Sequence, residues 1–390
     1  MLFVSLEGRG ALVDVKSSGV IRNYQLQSVY QYGCTFCPMS GTIAVPQLNN
    51  CLTMFSTETQ QPASRSFTPD PVSCSVCTTD GVFLLCGTVS GLILVWNLMS
   101  GQLLRKIKAH QRRITCLSLS FDSSYVASGS EDSLCKLWVL EDLVGFKQKE
   151  VHATRVFSGH SLSVNTLTFF HSSPLVATGS SDKTCRIISA ITGEQMKLMA
   201  VGDPVTSLAI DEDDGVLAIG TSSGFISFNP LTSSAPMGSA TVVKPPKDVN
   251  PSPVVYLEFT PGATGKLLSA SENSIFVEYT KIGQVVREFF PRQKQKTLSC
   301  CRVPVLSTAV ARQPSVPLAK NPIDIGSDSY TLFLTVAKHV VKKRPRTVEE
   351  ENEDASTRGR IEETREKIKE LSRLKEEVQQ KITLLSQKSN

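Results

Sequence analysis

Long apolar runs are missing from this 390-residue chain: the longest, such as Gly91 to Leu98, fall far short of the ~20 residues that a membrane-spanning helix needs. The N-terminal stretch MLFVSLEGRGALVDV does not read as a secretory leader, because Glu7 puts a charge where a signal peptide needs its apolar core. An intracellular protein is therefore expected. Tryptophan, with two residues, and histidine, with five, are scarce, so each one that recurs in a pattern carries weight. A net charge of +5 is too mild to argue by itself for a nucleic-acid partner. Cysteine is not scarce, but its count of eleven is odd, and in a reducing compartment the thiols read as small buried hydrophobes. The length suffices for two or three ordinary domains, or for one long all-β ring.

What is present is an internal repeat. ITCLSLSFDSSYVASGSEDSLCKLW (Ile114 to Trp138) overlays VSCSVCTTDGVFLLCGTVSGLILVW (Val72 to Trp96) without a gap at an offset of 42 residues, with Trp96 and Trp138 in register. VNTLTFFHSSPLVATGSSDKTCRII (Val164 to Ile188) follows at a further 50, and VTSLAIDEDDGVLAIGTSSGFISFN (Val205 to Asn229) at another 41. Weaker copies run from Val254 to Tyr279, Cys34 to Phe55 and Met1 to Tyr24, which makes seven. Each unit alternates short apolar strands with turn residues, as in TCLSL, FDSS, YVASGS, EDS, LCKLW. A period of ~40 to 45 residues with four short strands per unit predicts an all-β, seven-bladed β-propeller, one unit per blade.

On these residues the sequence resembles the WD-repeat family. The resemblance is carried by AH at Ala109 and His110, GH at Gly159 and His160, the SGSED and TGSSD turns, and Trp96 and Trp138. It covers residues 1 to about 305, strongly from 72 to 200 and weakly elsewhere, where Tyr24, Phe55, Ile188, Asn229 or Tyr279 stands in the tryptophan position. It implies a buried hydrogen-bonded network in each well-formed blade: His110, Ser128, Asp132 and Trp138 in one, and His160, Thr178 and Asp182 in the next, where Ile188 removes the last donor. In such a network the carboxylate fixes the imidazole tautomer and every buried polar atom finds a partner.

Three other chemistries use the same residue types. Serine, histidine and aspartate could form a hydrolytic triad, but a catalytic set occurs once at an open cleft, whereas this one recurs at the repeat offset. GTSSG, Gly220 to Gly224, satisfies the nucleophile-elbow pattern G-x-S-x-G, yet it overlays the blade turns GSED and GSSD and no helix follows it. CTFC (Cys34, Cys37) and CSVC (Cys74, Cys77) resemble two halves of a zinc site. Residues three apart in a strand point to opposite faces, so neither pair converges without a knuckle turn. No metal or cofactor is expected. His152 and His171 fall in a polar connection and a turn, and read as solvated surface side chains.

Departures from the repeat locate what is special to this chain. The connection from Trp138 to His160 is eight residues longer than that from Trp96 to His110, and Asn229 to Pro253 is a long Pro- and Ser-rich connection; such loops either contact something or stay unstructured. TLSCCRVPVL (Thr297 to Leu306) reads as an extra strand closing the ring, which sets the propeller at residues 1–306. Residues 307–357 read as a linker with Pro314, Pro317 and Pro322, a further strand candidate at Tyr330 to Val341, and basic and acidic runs. The basic run, Lys342, Lys343, Arg344 and Arg346, fits a nuclear-import signal. In residues 358–388 the period changes. Ile361, Ile368, Lys375 and Ile382 occupy one heptad position, and Thr364, Leu371, Val378 and Leu385 the other. This predicts a C-terminal α-helical coiled coil, ~40 Å long, that pairs two copies into a homodimer.

The blade order, the extended exit from the second well-formed blade and the tail helix together resemble the WD-repeat subunit of the Rix-type complex. That resemblance implies a non-enzymatic nuclear scaffold in large ribosomal subunit (pre-60S) maturation and pre-rRNA processing, found in the nucleolus and nucleoplasm. Its implied partners are a Rix-family scaffold protein and the AAA ATPase midasin, with RNA contact indirect or weak and no membrane. Two alternatives share the fold, a substrate receptor of a ubiquitin ligase and an RNA-binding propeller. The second would need a basic, aromatic-studded face, and the aromatics here align mostly with blade interiors.

Overall fold

Strands of three to six residues joined by tight turns pair most readily with the next strand along, so each repeat folds as an antiparallel meander. The computed structural model describes residues 1–26, 33–145, 151–231, 240–244, 252–260, 265–289, 296–304 and 318. Among these residues seven four-stranded antiparallel sheets form the blades of a propeller. Blades 2 to 7 are consecutive in sequence, with first strands Thr35–Cys37, Val72–Cys77, Ile114–Leu119, Val164–Phe169, Val205–Ile210 and Val254–Phe259. These innermost strands lie against one another round the ring, and blade 7 meets the inner strand of blade 1, Thr297–Arg302.

Blade 1 is built from both ends of the ring. Its inner strand, Thr297–Arg302, pairs with Leu2–Leu6 from Leu2 opposite Arg302 to Leu6 opposite Thr297, and Arg9–Val13 and Val20–Gln25 complete the sheet. The strand Thr297–Arg302 thus closes the ring, and Val303 continues the pairing by exchanging backbone hydrogen bonds with Met1. Polar contacts hold this strand at both ends. Thr297 N–H donates to the Glu272 carbonyl (2.8 Å), while Arg302 Nη1 donates to Glu258 Oε1 (3.3 Å), which also takes the Tyr256 hydroxyl on its other oxygen.

Between blades the same device recurs at four consecutive seams. Gly87, Gly129, Gly179 and Gly220 sit on the second strands, where an added Cβ would come within 2.7, 2.8, 2.5 and 2.9 Å of Ile114, Val164, Val205 and Val254 of the following blade. A glycine at this position is a socket for the neighbour's β-branched side chain. Beside each socket Ser73, Thr115, Asn165 and Thr206 donate a side-chain hydrogen bond to the carbonyl of that same residue, at 2.5 Å for Ser73 and 2.8 Å for Asn165 and Thr206. In blade 7 the same position is Ala270, paired with Tyr256 of its own sheet, so the seam to blade 1 lacks the glycine.

The extended exit after Trp138 does not lead away from the ring. Leu140–Val144 forms a short helix whose Leu143 and Val144 are buried against Leu85, Ile93, Val126 and Trp138, and Arg105 of blade 3 donates to the Gly145 carbonyl. Leu318, in the stretch read as linker, is likewise buried, its N–H donating to Ser66 Oγ at 2.7 Å. The strand candidate at Tyr330–Val341, the basic run Lys342 to Arg346 and the heptad positions from Ile361 to Leu385 lie outside the described residues. No helix among the described residues is long and apolar enough to cross a membrane.

Candidate functional site

His110 is placed by the turn before it. Ala109 and His110 both donate their N–H groups to the Gly91 carbonyl at 3.0 Å, which turns the imidazole into blade 4 rather than outward. There His110 Nδ1 lies 3.0 Å from Asp132 Oδ2, and Nε2 lies 2.8 Å from Ser128 Oγ. Trp138 Nε1 donates to the same Ser128 oxygen at 3.0 Å. The carboxylate requires a proton on Nδ1, so neutral Nε2 accepts the Ser128 hydroxyl, and the serine oxygen accepts the indole N–H. Asp132 also takes the backbone N–H groups of Gln111 and Leu134, both at 3.1 Å.

Blade 5 repeats the set with one loss. His160 Nδ1 is 2.9 Å from Asp182 Oδ2 and Nε2 is 2.8 Å from Thr178 Oγ1. Ile188 is buried where the indole would be, and Thr184 gives Asp182 a hydroxyl donor at 2.6 Å. The seven family-implied residues are thus brought together in two groups of four and three. Blade 3 carries a rewired version that the sequence comparison passed over. Thr68 stands at the His110 offset and donates to the Asp70 carbonyl (2.8 Å), while Ser90, at the Asp132 offset, donates to the Asp70 carboxylate. The legible signal was Ser90 in place of an aspartate, with an aspartate two residues after Thr68.

These groups cannot act as a hydrolytic centre as they stand. Ser128 and Thr178 have no exposed surface, and the Ser128 oxygen is already claimed by His110 and Trp138. Burial lowers the pKa of His110 and of His160, against the opposing pull of Asp132 and Asp182, so both imidazoles are neutral inside the fold. Burial pushes the two carboxyls the other way. It is outweighed for Asp132 by His110 and the N–H groups of Leu134 and Gln111, and for Asp182 by Thr184, His160 and Ser161; both end lowered, Asp182 to about 2.

The two shifts act in the same direction on stability. An unfolded histidine takes up a proton near pH ~6.5 that the folded one refuses, and an unfolded aspartate does so near ~3.9. Stability should be flat above pH ~7, fall below pH ~6.5 by up to ~1.4 kcal/mol per pH unit for each histidine, and fall again below pH ~4. Urea midpoints recorded from pH 8 downward check this. In a variant carrying His110→Gln and His160→Gln the first fall should shrink; an unchanged curve would assign the acid sensitivity elsewhere.

The decoy motifs resolve by position. Cys34 packs with Phe3, Tyr24 and Ile43, whereas Cys37 packs with Leu52, Leu84 and Trp96, so the first CxxC pair is split between two clusters. Cys74 and Cys77 are split in the same way. Cys37 and Cys77 instead meet across the seam, and their contact, with burial, raises the Cys77 pKa well above its ordinary value. All eleven cysteines are free, and among the described residues no cluster of histidine, cysteine or acidic groups could hold a metal. Ser222 of GTSSG lies in the turn between the strands Val216–Thr221 and Ile226–Pro230. His171 is exposed at a turn, 3.6 Å from Asp214, and His152 is exposed on the connection before Arg155–Phe157.

The WD40 family (WD domain, G-beta repeat) matches residues 101–139 and 152–189, the stretches that contain both histidine networks. The chain carries WD40 repeats and folds as a seven-bladed β-propeller. Its curated relatives include Protein ROOT INITIATION DEFECTIVE 3 of Arabidopsis thaliana, 27% identical over 45% of this chain and 41% of that one. Human WD repeat-containing protein 18 is 29% identical over 40% and 37%, and the pre-rRNA-processing protein crb3/ipi3 of Schizosaccharomyces pombe is 27% identical over the same shares. The match thus spans about two fifths of the length of these relatives. Among solved structures, a chain in the crystal structure of a mitotic checkpoint complex superposes with a TM-score of 0.60 at 18% identity, covering 72% of this chain and 83% of that one, a likeness of fold alone.

Proposed function

We propose that this propeller is a non-catalytic scaffold in large ribosomal subunit maturation and pre-rRNA processing, acting in the nucleus. The observation that carries the reading is its likeness to relatives named for pre-rRNA processing, the fission yeast protein among them. The geometry is consistent with a scaffold, since its Ser/Thr, His and Asp sets are buried and occupied by one another. In this reading the propeller holds a Rix-family partner and joins pre-ribosomes with the midasin ATPase. The run Lys342, Lys343, Arg344 and Arg346 serves nuclear import, and RNA contact is indirect. The heptad positions Ile361, Thr364, Ile368, Leu371, Lys375, Val378, Ile382 and Leu385 pair two copies, with Lys375 in the seam selecting register at some cost in stability.

One experiment tests these parts together. Two differently tagged full-length copies are expressed in the same cells, and one is purified on its tag after gradient sedimentation. The wild type should sediment with pre-60S particles and bring down ribosome-assembly factors and the second copy. Lys343→Ala with Arg344→Ala should move the protein toward the cytoplasm. Leu371→Asp with Val378→Asp, which puts two charges in the seam, should lose the second copy while the propeller stays folded. Recovery of cullin-ligase subunits in place of assembly factors would replace this function with the ubiquitin-ligase reading.

A further inference from the structure

In an antiparallel meander the turns after the first and third strands share one end of the blade, so those of all seven blades lie on one face of the ring. Contacts between neighbouring turns trace that face. Thr79 Oγ1 meets Ser123 Oγ at 2.9 Å from blade 3 to blade 4, and the Phe121 ring stands edge-on to His171 at 5.8 Å from blade 4 to blade 5. His171 N–H donates to Asp214 at 2.8 Å from blade 5 to blade 6, and Lys281 of blade 7 reaches back to Asp211 at 2.7 Å and Asp213 at 3.3 Å.

This strip combines exposed apolar side chains with a run of acidic ones. Phe121 and Ile282, at its two ends, are each 71% exposed, although a phenylalanine and an isoleucine gain by burial. Between them the chain presents the run Asp211-Glu212-Asp213-Asp214, and Asp122 stands next to Phe121. Lys281 pairs with Asp211, which is buried, and more loosely with Asp213; Glu212 and Asp213 still face solvent, the Asp213 side chain at 83%. The hydroxyls of Ser120 and Ser124 hold the Asp122 carboxyl below its ordinary pKa, so it stays ionised. The protein as a whole carries +5, whereas this strip sets five acidic residues against Lys281, so its negative charge is segregated rather than a sample of the composition.

We infer that this strip, from Phe121 across His171 and Asp214 to Ile282, is a docking surface for an extended, arginine- and lysine-rich polypeptide. Charge complementarity names the partner. A guanidinium fits over the exposed ring of Phe121 with the Asp122 carboxylate beside it, a pairing of cation–π and ionic attraction. Further cations along the same segment meet Glu212 and Asp213, and an aliphatic stem covers Ile282. The same charges repel a phosphate backbone, so an RNA does not dock here. The inference goes beyond the ribosome-assembly reading and stands without it.

The test uses the full-length protein and a fluorescein-labelled peptide of alternating arginine and serine, with binding read by anisotropy at several salt concentrations. Glu212→Lys with Asp213→Lys should weaken binding about tenfold or more and flatten its salt dependence. Phe121→Ala should weaken it about two- to fivefold, which is what an exposed cation–π contact contributes. Glu131→Lys, on the opposite face, should bind as the wild type does, and thermal melts of all three should match it, since the changed side chains are exposed. The inference is overturned if the peptide does not bind in the micromolar range, if the Glu131 variant loses as much as the strip variants, or if an RNA oligonucleotide binds with the same dependence on Phe121, Glu212 and Asp213.

Discussion

Replacing Trp138 with alanine should lower the unfolding free energy by about 3–5 kcal/mol, the range for truncating a buried tryptophan. The side chain is 2% exposed and fills the space between blades 3 and 4, against Ile93, Ile114, Val126 and Leu143. The nearby helix Leu140–Val144 belongs to the extended exit and cannot collapse far into the void without losing its own seat. The loss is compound, because the indole N–H is also a donor to Ser128 Oγ. A double-mutant cycle with Ser128→Ala separates the two parts. Urea denaturation with an unchanged slope is the measurement, and a cost below about 1 kcal/mol would mean that the seam repacks freely.

Asp132→Ala should cost less, about 1–3 kcal/mol, and for a different reason. No large cavity opens. Instead His110 Nδ1 and the N–H groups of Gln111 and Leu134 lose their common acceptor, at a site where the carboxylate is 11% exposed and water replaces it poorly. Asp182→Ala in blade 5 provides the comparison. Thr184, 3.3 Å from His160 Nδ1, is placed to take over part of the partnership there, so the blade 5 variant should lose less than the blade 4 variant. Equal losses measured by the same denaturation would show that the carboxylate, not the completeness of its network, sets the cost.

How much of this was legible beforehand follows from what each residue interacts with. The network from His110 to Trp138 could be assigned from the chain because all four members belong to one blade and its entry turn, and the blade repeats at a constant offset. The closing role of Thr297–Arg302 could be argued because a sheet beginning at Leu2 has no inner strand of its own until the chain returns. The pair in blade 3 was not legible, since Asp70 and Ser90 exchange the usual sides of the hydrogen bond, and a position-by-position comparison sees two substitutions rather than one rewired pair.

Alternation of apolar and turn residues determined the strands, their order and their number per repeat, because those depend on neighbours a few residues away along the chain. The same patterning settled that CxxC is divided between two faces of a strand. What lies beyond that face was decided by the ring. That Gly129 is a socket, that Thr115 reaches the Val164 carbonyl, that Cys37 meets Cys77, that the exit after Trp138 folds back, and that Phe121 shares a strip with Asp214 all involve residues about 40 or more apart, or side chains on different blades. Period-two alternation states which side of its own sheet a residue occupies. Only the closure of seven sheets into one ring states which residue of the next sheet it will find there.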